Sequence, residues 1–251
     1  MRESFGNLDS PASRDARHLS SIRSSGNPSN HDFPPSEKSN EFRSSHLREQ
    51  VLEWLDENVP VDRLQHILRV EAMAVKLAHY YQLDGVKAAQ AGLMHDLAKF
   101  FKPKRLLQIA EVEGLEVDPV LRTNPHLLHA EAGAIVARDK FGIRDEEVLE
   151  AIRNHTLGNP KMPLLSCVVF LADSLEPGRG NTSELDHLRQ LCWQNLHLAV
   201  CLTCDYSLRE LMAAHRLIHP RMVLTRNWAM EVVREGKGLV GEKGERLGSE
   251  G

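Results

Sequence analysis

The sequence is short of the features that mark a membrane protein, a disulfide scaffold or a nucleic-acid grip. Its longest apolar stretch, Leu164 to Ala172, is broken by Ser166 and falls far below the roughly 20 residues that span a bilayer. Four cysteines in 251 residues are too few for a disulfide framework and point to a reducing compartment. The N-terminal MRESFGNLDS has no apolar h-region, so the expected location is the cytoplasm. An excess of positive charge is missing: 31 Lys plus Arg against 35 Asp plus Glu leave a net charge of −4, which supplies no global field for nucleic acid. No HExxH, G-x-S-x-G or Walker A sequence occurs, so zincins, nucleophile-elbow hydrolases and P-loop enzymes find no support.

What is present reads as an ordinary globular chain, 41% hydrophobic and 26% charged, long enough for one sizeable core. Residues 1–45 stand apart, with twelve Ser, four Pro, four Asn, and six basic against six acidic residues. No periodicity survives there, so the segment is expected to be a disordered tail. Residues 233–251 are Gly-rich and are expected to be loose as well. Between them, 46–232 reads as helix after helix, an all-α domain. Leu47, Val51, Leu52 and Leu55 form one apolar face that stops at Pro60. Asp62, Asp84 and Asp145 are candidate N-caps, Pro103 a first helical residue, and Gly142 a left-handed stop. Leu164 to Ala172 fits a buried strand or helix by period alone; the helical context favours helix. One long helical pattern runs from Glu184 to about His219, and another from Pro220 to Val233.

The chain holds 13 histidines. His46, His79, His187, His197 and His215 sit among polar helical neighbours and are expected on the surface. His95-Asp96 is different, because it ends an apolar helical run. Burying an imidazole and a carboxylate there is costly unless something compensates them, and a divalent metal such as Fe, Mn or Zn does so. His66 on the preceding helix and Asp173 at the end of the Val168–Ala172 run add two further ligand types. His129 opens a helix and His155 ends one.

This order, His66, His95-Asp96, Asp173, resembles the HD-domain metal-dependent phosphohydrolases. Arg63-Leu64-Gln65-His66, His95-Asp96-Leu97-Ala98-Lys99, Leu127-Leu128-His129, His155-Thr156, Glu176-Pro177-Gly178-Arg179 and Ile218-His219-Pro220 together look like the bacterial HD-domain symmetrical bis(5′-nucleosyl)-tetraphosphatases, from about Asp62 to Asn227. The resemblance implies an HD helical bundle and cleavage of diadenosine tetraphosphate into two ADP by a metal-activated water. It implies that His66, His95, Asp96 and Asp173 hold iron, or else Mn or Co. His129 and His155 complete a second metal position or bind phosphate. Asp96 and Lys99 are the catalytic candidates; Arg63, Lys99, Arg179, His219 and Arg221 are the candidate substrate contacts.

Three of these have a plainer alternative. Lys99 can be a solvated lysine beside Lys102 and Lys104, Arg179 a loop arginine, and His219 a helix-boundary histidine before a first-turn proline. Cys201 and Cys204 have C-x-x-C spacing, but two small apolar residues on one helix face are the simpler reading. Lys99, Lys102, Lys104 and Arg105 form a basic cluster with few interleaved aromatics, which suits nucleotide phosphate better than nucleic acid. The resemblance makes a dinucleoside polyphosphate the expected partner, with no membrane and no nucleic acid expected, and a homodimer left open. The alternatives are an HD phosphohydrolase for another nucleotide and a non-catalytic nucleotide-sensing HD module.

Overall fold

The computed structural model describes residues 37–239, and over that range it is helical, with no strand element among the described residues. Residues 1–36 and 240–251, most of the two expected tails, lie outside the described residues. Helix α1 (Glu37–Asn58) begins inside the segment expected to be loose, so residues 37–45 belong to the helical part. Its Val51 and Leu55 are fully buried, as the apolar face predicts. α2 (Val61–Tyr80) starts after Pro60; Asp62 lies in its first turn and does not cap it. There the carboxylate still faces the positive end of the helix macrodipole.

α3 (Gly85–Met94) is capped by Asp84, whose side chain accepts from the Val86 and Lys87 amides. It packs along α2 at close range: a Cβ on Gly92 would lie 2.9 Å from Cα of Glu71. The regular helix stops at Met94, short of Leu97, and residues 95–100 continue as tight turns. In these turns the Lys99 amide bonds the Asp96 carbonyl and the Phe101 amide bonds the Ala98 carbonyl. α4 (Pro103–Val112) and α5 (Pro119–Thr123) both begin with proline. With the 3-10 turn Pro125–Leu128 they close a small satellite core of Ala98, Leu106, Ala110, Leu128 and Ala132.

α6 (His129–Lys140) ends as expected at Phe141, followed by Gly142 at φ +70°. α7 (Glu146–Asn154) is capped by Asp145 through the Glu147 and Val148 amides. α8 (Leu164–Leu175) is the helix that the period alone left open. Leu165 through Ala172 are all buried along it, because α8 packs against α2, α3, α7 and α10 (Leu196–Ala213).

The single pattern expected from Glu184 to His219 is two helices, α9 (Ser183–Leu191) and α10. Asn195, extended at φ −151°, caps α10 through the Leu198 amide and breaks the run. α11 (Pro220–Arg234) follows its His219 cap and packs on α10. His197, expected on the surface, is 7% exposed. Trp228 stacks edge-on at 5.6 Å, and the Leu239 amide donates to its Nδ1 at 3.1 Å. The described part of the Gly-rich segment is thereby pinned to the start of α10.

Candidate metal centre

Three helices and two turns deliver six side chains of metal-ligand type to one place. His66 comes from the middle of α2, His95 and Asp96 from the turns ending α3, His129 from the first residue of α6, His155 from the end of α7, and Asp173 from the last turn of α8. Close backbone approach makes this convergence possible: a Cβ on Gly133 of α6 would meet the His95 carbonyl oxygen at 3.2 Å. Asp173 sits where the helix macrodipole is negative, an unfavourable place for a carboxylate, so its position needs compensating charge.

The hydrogen bonds on the outer nitrogens decide what the histidines offer. Nδ1 of His95 donates to the Gly92 carbonyl at 2.7 Å, Nδ1 of His129 to the His126 carbonyl at 2.6 Å, and Nδ1 of His155 to the Ile152 carbonyl at 2.7 Å. Nδ1 of His66 donates to the Glu176 carboxylate at 3.0 Å. Carbonyl and carboxylate oxygens only accept, so each ring places a proton on Nδ1, and in its neutral form turns the Nε2 lone pair inward.

Those lone pairs meet the carboxylates. His66 Nε2 lies 3.0 Å from Asp173 Oδ1 and 3.9 Å from Asp96 Oδ2; His95 Nε2 lies 3.4 Å from Asp96 Oδ2 and 3.7 Å from Asp173 Oδ1. The other Asp96 oxygen, Oδ1, is 3.3 Å from His129 Nε2 and 3.6 Å from His155 Nε2. His95 Nε2 and Asp96 Oδ1 are buried without a hydrogen-bond partner. Buried lone pairs aimed at carboxylate oxygens fit a divalent cation, since imidazole nitrogen and carboxylate oxygen are transition-metal donors. Two overlapping groups, His66 with His95 and Asp173, and His95 with Asp96 and His155, each bring three such atoms within 4.8 Å of one another.

The site's electrostatics follow from the same contacts. Burial pushes the Asp96 carboxyl up, yet His95, His129 and His155 hold it well below the usual carboxylate range. Burial likewise opposes ionisation of Asp173, but His66, His95 and Arg179 keep it low. Burial, helped by His155 and Lys99, drives His129 down to about 4 against the pull of Asp96, so this ring is neutral near pH 7.

Three of the predicted cations, Arg63, Lys99 and Arg179, lie at this site, and two of the three are tied to an acid. Arg63 Nη1 donates to Asp96 Oδ2 at 2.9 Å. Arg179 donates from Nε to the Asp173 main-chain oxygen at 2.7 Å, and its Nη2 pairs with Asp173 Oδ1. Lys99 and Asp96 share no α-helical face, but the Lys99 Nζ still reaches His129 Nε2 at 3.2 Å. His219 and Arg221 sit further out and line an open cleft of about 380 Å3. There His219 contacts Asp118 at 2.8 Å and caps α11, and Arg221 pairs with Glu131 at 3.1 Å.

Two partners went unassigned in the sequence. Glu176, 1% exposed, receives His66, Arg69 at 2.5 Å and the Gly178 amide. Thr156 Oγ1 lies 3.0 Å from His155 Nε2 and 3.2 Å from His129 Nε2. Both residues were visible beside the ligand motifs, but their roles depend on contacts made across the fold.

A helical fold carrying a buried His/His-Asp/Asp centre defines the HD class of hydrolases, and the HD domain family matches residues 63–178. Over 181 residues the chain is 34% identical to the symmetrical bis(5′-nucleosyl)-tetraphosphatase of Bacillus subtilis (strain 168), covering 72% of this chain and 96% of that protein. The protein of the same description from Staphylococcus aureus (strain NCTC 8325 / PS 47) is 36% identical over 137 residues, 55% of this chain and 70% of its own. The crystal structure of an HD superfamily hydrolase from Clostridium acetobutylicum superposes with a TM-score of 0.70 at 34% identity, covering 73% of this chain and 96% of that one. The chain belongs to the HD-domain family of symmetrical bis(5′-nucleosyl)-tetraphosphatases.

Proposed function

We infer that this protein is a metal-dependent hydrolase that cleaves diadenosine tetraphosphate symmetrically into two ADP. The observation that carries the reading is the convergence of His66, His95, Asp96 and Asp173 on one buried point, in a chain that spans nearly the whole of a relative with that activity in its name. Iron is the ion we assign to these four residues, with Mn or Co as substitutes, and the cytoplasm is the place of work. A metal bound by such donors lowers the pKa of water and polarises a phosphoryl oxygen.

The rest of the chemistry falls to the chain's own groups. Water adds across the central P–O–P bridge: its oxygen joins one β-phosphorus, the bridging oxygen leaves with the other, and a proton is released. Lys99 and Arg179 bring positive charge to the edge of the centre, where they stabilise charge growing on the phosphates. Arg179 offers a planar fork suited to two phosphate oxygens. Arg63 holds Asp96 in place from the protein side and meets phosphate only with its outer edge. His129, neutral near pH 7, and His155, with the Thr156 hydroxyl between them, serve a phosphate or a second ion. His219 and Arg221 give one nucleoside half a seat in their cleft.

The test is incubation of metal-loaded protein with diadenosine tetraphosphate and identification of the products. ADP alone is the expected result. AMP plus ATP would place the scissile bond elsewhere, and binding without products would mean a nucleotide-sensing module.

A further inference from the structure

A second concavity, of about 280 Å3, opens between the end of α1 and the segment 97–105. Trp54, Phe100, Phe101, Lys102 and Arg105 are on its wall. In a chain that is 5% aromatic, three such side chains around one opening form a concentration. Phe100 is 49% exposed, and among the described residues it is the one aromatic side chain in the set of exposed large hydrophobics. Arg105 lies over the Phe101 ring, 3.6 Å from its centroid. Lys102, Lys104 and Arg105 make no ion pair among the described residues, while Arg48, Arg138, Arg209 and Arg226 all do. Free cations beside an open aromatic face suit a ligand with a flat base and an anionic tail.

Two stretches of chain connect this concavity with the metal centre. From Asn58 at its edge the chain runs in five residues to Arg63, which holds Asp96. On the other wall, Phe100 directly follows Lys99, whose Nζ touches His129. Consecutive Cα atoms lie 3.8 Å apart, so the Lys102 backbone is within about 11 Å of that of Lys99. The larger cleft is reached from the centre by a different route, through Glu131 two residues after His129. Ligand clefts run to roughly 300–1,000 Å3, and at about 380 and 280 Å3 the two concavities stand at the lower end of that range, a size that suits one nucleoside half each. A substrate cut at its midpoint has two equal halves, and each needs a hold.

We propose that the Trp54–Phe100–Phe101 concavity seats the second nucleoside half of the substrate. Its purine lies against Phe100 and Trp54, and its phosphates pass Lys102 and Arg105 toward Lys99. The proposal rests on the reading of the substrate as a dinucleoside tetraphosphate.

The experiment is calorimetric titration of the full-length, Mn2+-loaded protein with ADP, beside steady-state kinetics on diadenosine tetraphosphate. Wild type should bind two ADP per chain. Phe100→Ala, at a half-exposed position, and Arg105→Gln should each retain wild-type metal content, bind one ADP tightly, and raise KM for the dinucleotide. Losing one base–aromatic stack corresponds to about a 5- to 150-fold change. Hydrolysis with one ADP per wild-type chain, or an unchanged KM in both variants, would overturn the half-site. So would loss of single-stranded oligonucleotide binding with ADP stoichiometry intact, which assigns the patch to nucleic acid. Two ADP per chain without dinucleotide hydrolysis would leave the half-site standing and overturn the substrate reading instead.

Discussion

Glu176 holds His66 from behind the ring: Nδ1 donates to its carboxylate at 3.0 Å, while Nε2 stands 3.0 Å from Asp173 Oδ1. Arg69 completes the chain by donating to the same carboxylate at 2.5 Å. The arrangement fixes both the tautomer and the tilt of His66, as partners behind metal-binding histidines commonly do. Glu176→Gln keeps the shape but weakens both contacts. Metal affinity, measured by competition with a chelator, should fall by about 10- to 100-fold with helical circular dichroism retained. Wild-type affinity in that variant would reduce Glu176 to a cap on the turn at 177–179.

The two oxygens of Asp96 face different histidine pairs, Oδ2 toward His66 and His95 and Oδ1 toward His129 and His155. Asp96→Ala should therefore abolish metal retention, read by elemental analysis after dialysis, while far-ultraviolet dichroism stays near wild type. Asp96→Asn keeps the volume and should lose the ion too, because it removes the negative charge and leaves one oxygen where Asp96 offers two. Full occupancy and activity in either variant would break the ligand assignment.

The parts of this structure that could be read in advance are those set by neighbours in sequence. Asp84, Asp145 and Gly142 act within three residues of themselves, so their caps and stop were visible. His95, Asp96 and Asp173 stand out in the sequence because there polar groups end apolar runs. The break before α10 was not: Cys192, Trp193 and Gln194 carry no Gly or Pro, and Asn195 reads as an ordinary helical residue until its extended backbone is seen. His197 looked polar because its cover, Trp228 and Leu239, comes from far along the chain. Glu176 and Arg69 are 107 positions apart, and no local pattern links them.

The buried His197 gives the fold a pH dependence separate from the metal centre. Burial lowers its pKa below the usual value, and its Nδ1 must stay unprotonated to accept from the Leu239 amide. The unfolded chain, with a histidine pKa of about 6.5, takes up a proton first as pH falls. The stabilisation from neutral His197 is therefore complete above that value and is lost as pH drops toward the lower folded pKa. Between about pH 7 and pH 5 the wild type should lose more Tm than His197→Gln, and exchange of the Leu239 amide should accelerate. Parallel Tm curves for the two proteins would show that this ring does not titrate with unfolding.

Arg179 is tethered at one end and free to change partners at the other. Its Nε is fixed on the Asp173 main-chain oxygen at 2.7 Å, while Nη2 leans on the Asp173 carboxylate and lies 3.5 Å from His66 Nε2. An ion held by Asp173 and His66 would compete for both contacts and leave Nη2 available for phosphate. Arg179→Ala should accordingly leave metal content at the wild-type level or tighten binding slightly, because a competing cation is gone. Turnover of diadenosine tetraphosphate should weaken: a charge-assisted hydrogen bond is worth about 1.5–3 kcal/mol, or roughly ten- to a hundredfold. A fall in kcat together with kcat/KM would show that the contact grows in the transition state, whereas a rise in KM alone would mean ground-state binding. Arg179→Lys restores the charge but neither the fork nor the Nε tether, so it should recover only part of the rate. Wild-type kinetics for Arg179→Ala would leave this arginine with the single task of neutralising Asp173 before the ion arrives.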